Sequence, residues 1–181
     1  MKPTNIDLVR SIRDSPQLLG IPHSKCDCQA AVEKALALVG IKVNYRGSNH
    51  MWRDMVHDRS WIYDYRAKYG KLTPGLICFT LKNDGSEKNR GYYDDMGAAV
   101  HVGIILDDDT CFQSASRGTE ICSLSKTTFN QVAYCNLLEY IDIPAEEPQE
   151  NVIMTLLTEI RNKLDTISNM IGGSDNNGER T

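Results

Sequence analysis

Ala99-Val100-His101-Val102-Gly103-Ile104-Ile105-Leu106, the triplet Asp107-Asp108-Asp109 and Thr110-Cys111-Phe112-Gln113-Ser114-Ala115 constrain the fold more than any other stretch of the chain. Two runs of strand length flank a short polar break, which predicts a β-hairpin. Leu76 to Leu81 is a further strand-like run, and Pro74-Gly75 before it is a turn signal. Further strands are expected at 119–122 and 134–141, with a polar loop over 82–97. The first half is patterned differently. Cys28, Ala31, Val32, Ala35, Leu36 and Val39 recur at three- and four-residue spacing and Gly40 supplies a stop, which predicts a helix over 27–39. Ile6, Val9, Ile12 and Leu19 predict a shorter helical stretch over 5–20. Residues 41–70 are mixed and rich in aromatic side chains, with one or two short helices expected. Helices first and strands later indicate an α+β fold with an antiparallel sheet.

The C-terminal part reads as a separate unit. Pro144 to Glu150 has the composition of a linker. Ile153, Leu157, Ile160, Leu164, Ile167 and Ile171 then follow alternating four- and three-residue steps, the seam of a coiled coil over 151–171. Leu157, Leu164 and Ile171 fall at a positions, and Ile153, Ile160 and Ile167 at d. Leu at a with Ile at d favours more than two strands. Met154, Leu156 and Met170 widen the apolar face. A homo-oligomer, with a tetramer favoured, is the expectation; a helix packed on its own domain is the alternative. Residues 172–181 read as a disordered tail, so the expected boundaries are 1–143, 144–150, 151–171 and 172–181.

Apolar residues make up 41% and charged residues 24% of the 181, with a net charge of −4. That balance supports one real core and offers no basic footprint for nucleic acid or an anionic membrane. No apolar run reaches the roughly 20 residues of a membrane span. The first residues lack the apolar stretch of a secretory signal, so synthesis in the cytoplasm without export by that route is expected. Six cysteines, at 26, 28, 78, 111, 122 and 135, are then expected as thiols rather than a disulfide framework.

Cys28 opens the helix over 27–39, where the partial positive charge of unpaired N–H groups favours a thiolate, the reactive form of the side chain. Taken alone, a cysteine at a helix start is more often structural. His101 sits in an apolar strand, where a satisfied core or surface histidine is the alternative. A thiol and an imidazole brought together from distant positions would form a catalytic dyad. His23, Cys26 and Cys28 lack the Cys-x-x-Cys spacing and fourth ligand of a zinc site, so no metal and no cofactor are expected. Cys26 is a rival nucleophile, but it precedes the helix start. Asp107 to Asp109 lack the EF-hand pattern and read as a solvated hairpin tip. His50 and His57 lie in the aromatic stretch around Trp52, where core packing is the default.

Three segments together resemble a known family. Asp27-Cys28-Gln29-Ala30-Ala31-Val32 resembles the Asp-Cys-Ser-Gly-Leu-Val opening of the nucleophile helix in NlpC-type cell-wall peptidases. Pro74-Gly75-Leu76-Ile77-Cys78-Phe79 is similar to that family's Pro-Gly-Asp-Leu-Val-Phe strand, and His101-Val102-Gly103-Ile104 to its His-Val-Gly-Ile strand. The motifs occur in family order, with the histidine 73 residues after the cysteine, and the likeness covers about residues 5–142. It implies a papain-like domain with N-terminal helices packed on the sheet. In that site Cys28 attacks an amide carbonyl, His101 carries the proton and Gln113 orients the imidazole. The Cys28 backbone N–H is the implied oxyanion donor. His23, Asp27 and Trp52 are the expected substrate contacts. Gln29-Ala30 depart from the family's Ser-Gly, and Pro22-His23 stand where Pro-Tyr is common.

The implied substrate is bacterial peptidoglycan, cut between D-glutamyl and a diamino acid of the stem peptide. A phage or prophage lysin carried past the membrane by a holin-type factor, or a tail-associated enzyme, fits the expected cytoplasmic synthesis. Two alternatives are an N-acetylmuramoyl-L-alanine amidase of the related Cys-His group and an inactive phage structural protein.

Overall fold

The computed structural model describes residues 1–142, 157, 158 and 160–164. The chain divides into a unit Met1–Ala145 and a unit Glu146–Thr181, a boundary that falls inside the segment read as a linker.

The first unit is a mixed helix-and-sheet domain. Its helices are α1 (Asn5–Arg13), α2 (Cys28–Leu38), α3 (Ser48–His50) and α4 (Ile62–Tyr69). Its strands are β1 (Val56–Trp61), β2 (Ile77–Lys82), β3 (Ala98–Ile105), β4 (Thr110–Ala115), β5 (Gly118–Ser123) and β6 (Gln131–Cys135). They form one sheet in the order β1-β6-β2-β3-β4-β5, with every neighbouring pair antiparallel.

The period-two pattern of the strands divides the core. Ile77, Phe79, Val102, Ile104 and Phe112 face one side, where they pack with Leu8 and Ile12 of α1 and Val32 and Leu36 of α2. Leu76, Cys78, Ile105 and Cys111 face the other, with Tyr65 of α4, Leu72, Leu124 and Phe129. Both faces being covered explains why β2 and β3 read as continuous apolar runs rather than alternating ones. Ala31 and Ala35 of α2 are fully buried, and their small side chains let that helix approach the sheet closely.

Several boundaries differ from the sequence expectation. The helix expected over 5–20 stops at Arg13, where Asp14 caps it, and a single tight turn follows at Pro16–Leu18. At its start, Thr4 and Asp7 exchange hydrogen bonds as a capping box. β1 was not anticipated. Its sequence, Val-His-Asp-Arg-Ser-Trp, is polar because it is an edge strand, and a bulge between His57 and Ser60 breaks its alternation. The last strand ends at Cys135 rather than running over 134–141. Tyr140 lies beyond it and ties back: its hydroxyl donates to the Gly75 carbonyl and accepts from the Cys135 N–H.

The hairpin tip is built rather than merely solvated. Asp107 accepts the N–H groups of Asp109 and Thr110 and an ion pair from Arg13 at 2.6 Å. Asp108 is engaged by Arg66 and by the Leu72 N–H. In the second unit, residues 157–158 and 160–164 are helical, and Leu157, Ile160 and Leu164 are exposed. The linker, the rest of the heptad segment over 151–171 and the tail over 172–181 lie outside the described residues. Among the described residues, no helix is long and apolar enough to cross a membrane.

Candidate active site

Cys28 is the first residue of α2, and Asp27 is its N-cap, accepting the Ala30 N–H at 2.8 Å. Asp27, expected as a substrate contact, is therefore engaged in holding the helix start. The backbone N–H of Val102, the residue that follows His101 in β3, is near enough to the Cys28 sulfur to favour its charged form. The N–H groups of Gln29 and of Cys28 itself act on the sulfur in the same direction.

The electrostatics correct one expectation. Burial is the largest influence on the Cys28 thiol and pushes it above its ordinary value. The Val102 N–H pulls it down, the Asp27 carboxylate pushes it up, and the Gln29 and Cys28 N–H groups pull it down. The net direction is upward. A helix terminus contributes only about 0.3–1 kcal/mol at exposed sites, and desolvation with an adjacent carboxylate outweighs it here. His101 moves the opposite way. Burial pulls its pKa below the usual value, and the hydrogen bond to Gln113 offsets this in part. His23 adds a further push down. Both shifts favour a neutral thiol and a neutral imidazole at rest.

The orientation of the imidazole follows from Gln113, which is only 6% exposed. Its Nε2 donates to Glu120 Oε1 at 3.1 Å and to Cys122 Sγ at 3.2 Å. A carboxylate accepts and does not donate, so this fixes which way the amide faces. Oε1 is then the atom 2.8 Å from His101 Nε2, and Nε2 must carry the proton. The Nδ1 lone pair is left free to take a proton.

Phe129 supplies a floor. Its ring stacks on His101 with centroids 5.1 Å apart and planes 10° from parallel. The stack depends on Gly103, where a Cβ would lie 2.8 Å from both the Phe129 ring and the Phe112 carbonyl. Phe129 lies beyond β5 in the chain, and nothing in its local sequence signals the contact.

The segment carrying His23 is fastened to the β4–β5 hairpin. Gly20 N–H donates to Thr119 O, Thr119 N–H to Ile21 O, and Ile21 N–H to Thr119 Oγ1, all at 2.8–2.9 Å. Gly118 makes this possible, with φ at +98° and no room for a Cβ against the Ile21 carbonyl. Ser114, fully buried, donates to the Cys26 carbonyl and shares a 3.3 Å contact with His23 Nδ1. His23 is exposed and stands close enough to influence His101. Cys26, the rival nucleophile, is 1% exposed.

Trp52 departs from its expected role. It is 3% exposed, packs edge-on against Phe79 with centroids 5.0 Å apart, and donates Nε1–H to the Met96 carbonyl. A side chain buried this far has no face left for a substrate. His50 and His57 are also occupied elsewhere. His50 accepts the Arg46 N–H and meets Asp54 at 2.6 Å, and His57 lies over the Tyr134 ring.

Gln29, which follows Cys28, has a visible task. Its amide donates to Glu33 at 2.9 Å and to the Tyr45 carbonyl, and its oxygen accepts the Gly47 N–H. Glu33 in turn accepts the Tyr45 N–H at 2.7 Å. Together they pin the 45–47 loop to α2 beside Cys28. A serine could not span these partners.

A scan against protein-family models and a search of curated proteins return no match to this chain.

Proposed function

We propose that this protein is a papain-like cysteine peptidase acting on bacterial peptidoglycan, with Cys28 as nucleophile, His101 as base and Gln113 as the residue that orients the imidazole. The observation that carries the reading is the fixed tautomer of His101. A proton held on Nε2 by Gln113 leaves Nδ1 basic, which is what a neutral thiol needs from its partner. In the proposed reaction Nδ1 takes the Cys28 proton as the sulfur attacks an amide carbonyl. The imidazolium is held by Gln113 Oε1 and later gives its proton to the leaving amine. The N–H groups at the start of α2 would face the developing oxyanion.

The substrate class rests on the likeness of the motifs around Cys28, Ile77 and His101 to NlpC-type peptidases. The proposed bond joins D-glutamyl to a diamino acid of the stem peptide. The heptads over 151–171 would gather several domains on a polymeric wall and raise their effective concentration there. In this reading the protein serves as a phage or prophage lysin that reaches the wall with the help of a holin-type factor.

Purified cell walls test the proposal. Wild type should release soluble muropeptides and Cys28→Ser should release none; equal activity of the two sinks the assignment of the nucleophile. Mass spectrometry of the products decides the bond, since free stem peptides carrying an N-terminal alanine would instead indicate an amidase. Light scattering on the full chain and on a truncation after Asp142 tests the oligomer. Equal monomeric masses would remove it.

A further inference from the structure

Cys111 and Cys122 are directly opposite each other in the β4–β5 pair, with their sulfur atoms 3.8 Å apart. Neither belongs to the proposed chemistry. A disulfide needs about 2.05 Å between sulfurs, so closure requires a movement within reach of rotation about the two Cα–Cβ bonds. β5 is the edge strand of the sheet, and among the described residues no further strand pairs with it beyond β4. Access is asymmetric. Cys111 is fully buried, whereas Cys122 is half-buried and lines an open cavity of about 580 Å³ with Gln113, Arg117, Glu120 and Lys126. The Cys122 sulfur is also one of the two acceptors that hold the Gln113 amide.

We propose that Cys111 and Cys122 form a reversible disulfide modification site, oxidised by a small peroxide, whose closure withdraws one of the acceptors that orient Gln113. The cavity admits the peroxide to Cys122 first. Its sulfur attacks the O–O bond, becomes a sulfenic acid and releases one water. The Cys111 sulfur then attacks the Cys122 sulfur and expels the second water. Two thiols lose two protons and two electrons, and one hydrogen peroxide takes them up to become two waters. Burial pushes both thiols above their ordinary values, strongly so for Cys111, so the reaction is slow at neutral pH and faster in mild base. Closure draws the Cys122 sulfur towards Cys111, and the Gln113 amide is then held on that side by Glu120 alone.

The test uses the full chain with Cys28→Ser, so that the proposed nucleophile takes no part in the oxidation. After hydrogen peroxide treatment, remaining thiols are blocked with N-ethylmaleimide under unfolding conditions and the protein is cut with trypsin. Cleavage after Arg117 separates Cys111 from Cys122, so only a disulfide can keep their peptides together. The expected result is a linked pair two hydrogens lighter than the separate peptides, lost on treatment with dithiothreitol and absent from Cys122→Ser. The 15N resonance of His101 Nε2 should shift with the linkage and stay in place in the Cys122→Ser protein. N-ethylmaleimide on both residues, or Cys122 found only as sulfinic or sulfonic acid, overturns the site. A linked pair with an unmoved His101 resonance overturns the coupling to Gln113. These readouts need no hydrolytic activity, so they stand apart from the proposed function.

Discussion

Gln113 presents its amide oxygen to His101 Nε2 at 2.8 Å because its amide nitrogen is already committed to Glu120. The imidazole tautomer is thus set from the far side of the glutamine, by a carboxylate that does not touch the histidine in this network. Gln113→Ala should lower kcat on cell walls by roughly 10- to 100-fold with little change in KM. That is the loss of one hydrogen bond to a group becoming charged, worth about 1.5–3 kcal/mol. Gln113→Glu also offers an acceptor but faces Glu120, so part of the activity should survive with an altered pH profile. Undiminished kcat in Gln113→Ala would remove the orienting role.

The directions of the two pKa shifts give a pH signature. Cys28 titrates above its ordinary value of 9.0 because of burial, so alkylation by iodoacetamide should keep accelerating through that pH. A preformed thiolate–imidazolium pair would instead give a plateau near neutrality. A plateau at pH 7 would contradict the neutral resting pair.

His101 has the complementary consequence for stability. Its folded pKa lies below the ordinary 6.5 because burial disfavours the charged ring. Below 6.5 the unfolded chain takes up the proton first. Its contribution to stability is therefore present above that pH and is lost as pH falls through the lower, folded value. Denaturant midpoints of wild type and His101→Gln should converge as the pH drops from 7 to 5. A gap that widens on acidification would reverse the sign.

Gly103→Ala should be costly although the backbone there is ordinary. Its new Cβ meets the Phe112 carbonyl and the Phe129 ring, and the carbonyl cannot move without disturbing β4. Overpacking of this kind costs about 1–3 kcal/mol, which should appear as a fall in Tm on the order of 5–10 °C. An unchanged Tm would mean that the stack on His101 tolerates displacement.

Gln29→Ser, which introduces the serine of the NlpC-type pattern, should loosen rather than improve the site. Three partners, at Glu33, Tyr45 and Gly47, lose their bridge. The Gly47 amide should exchange its hydrogen at least about tenfold faster, the equivalent of one hydrogen bond worth about 1.4 kcal/mol. Unaltered exchange would show that the loop is held by other contacts.

What was readable in the sequence was local. The helix behind Cys28 and the hairpin carrying His101 and Gln113 each depend on neighbours within a few positions. Glu120, Ser114 and Phe129 did not declare themselves, because their roles arise only when β5, the His23 segment and the chain after β5 converge on β3 and β4. Trp52 misled for a related reason: an aromatic residue in a polar stretch suits a binding loop and a core equally, and only the Phe79 contact decides. The expectation of a thiolate failed because the helix terminus is visible in sequence while desolvation is not. β1 was illegible because a bulged edge strand carries no alternating pattern to read.

The sheet order also imposes a timetable. β6 is the last strand among the described residues, yet it sits between β1 and β2. Until residues 131–135 have left the ribosome, β1 has no partner and β2 has one bare edge, each offering unpaired backbone groups to any passing strand. A nascent chain that already contains Cys28, His101 and Gln113 is thus still missing the strand that joins the two parts of the sheet. Completion of the sheet that carries the candidate site waits on β6, and a chain stopped short of Cys135 should be an aggregating species rather than a partly active one.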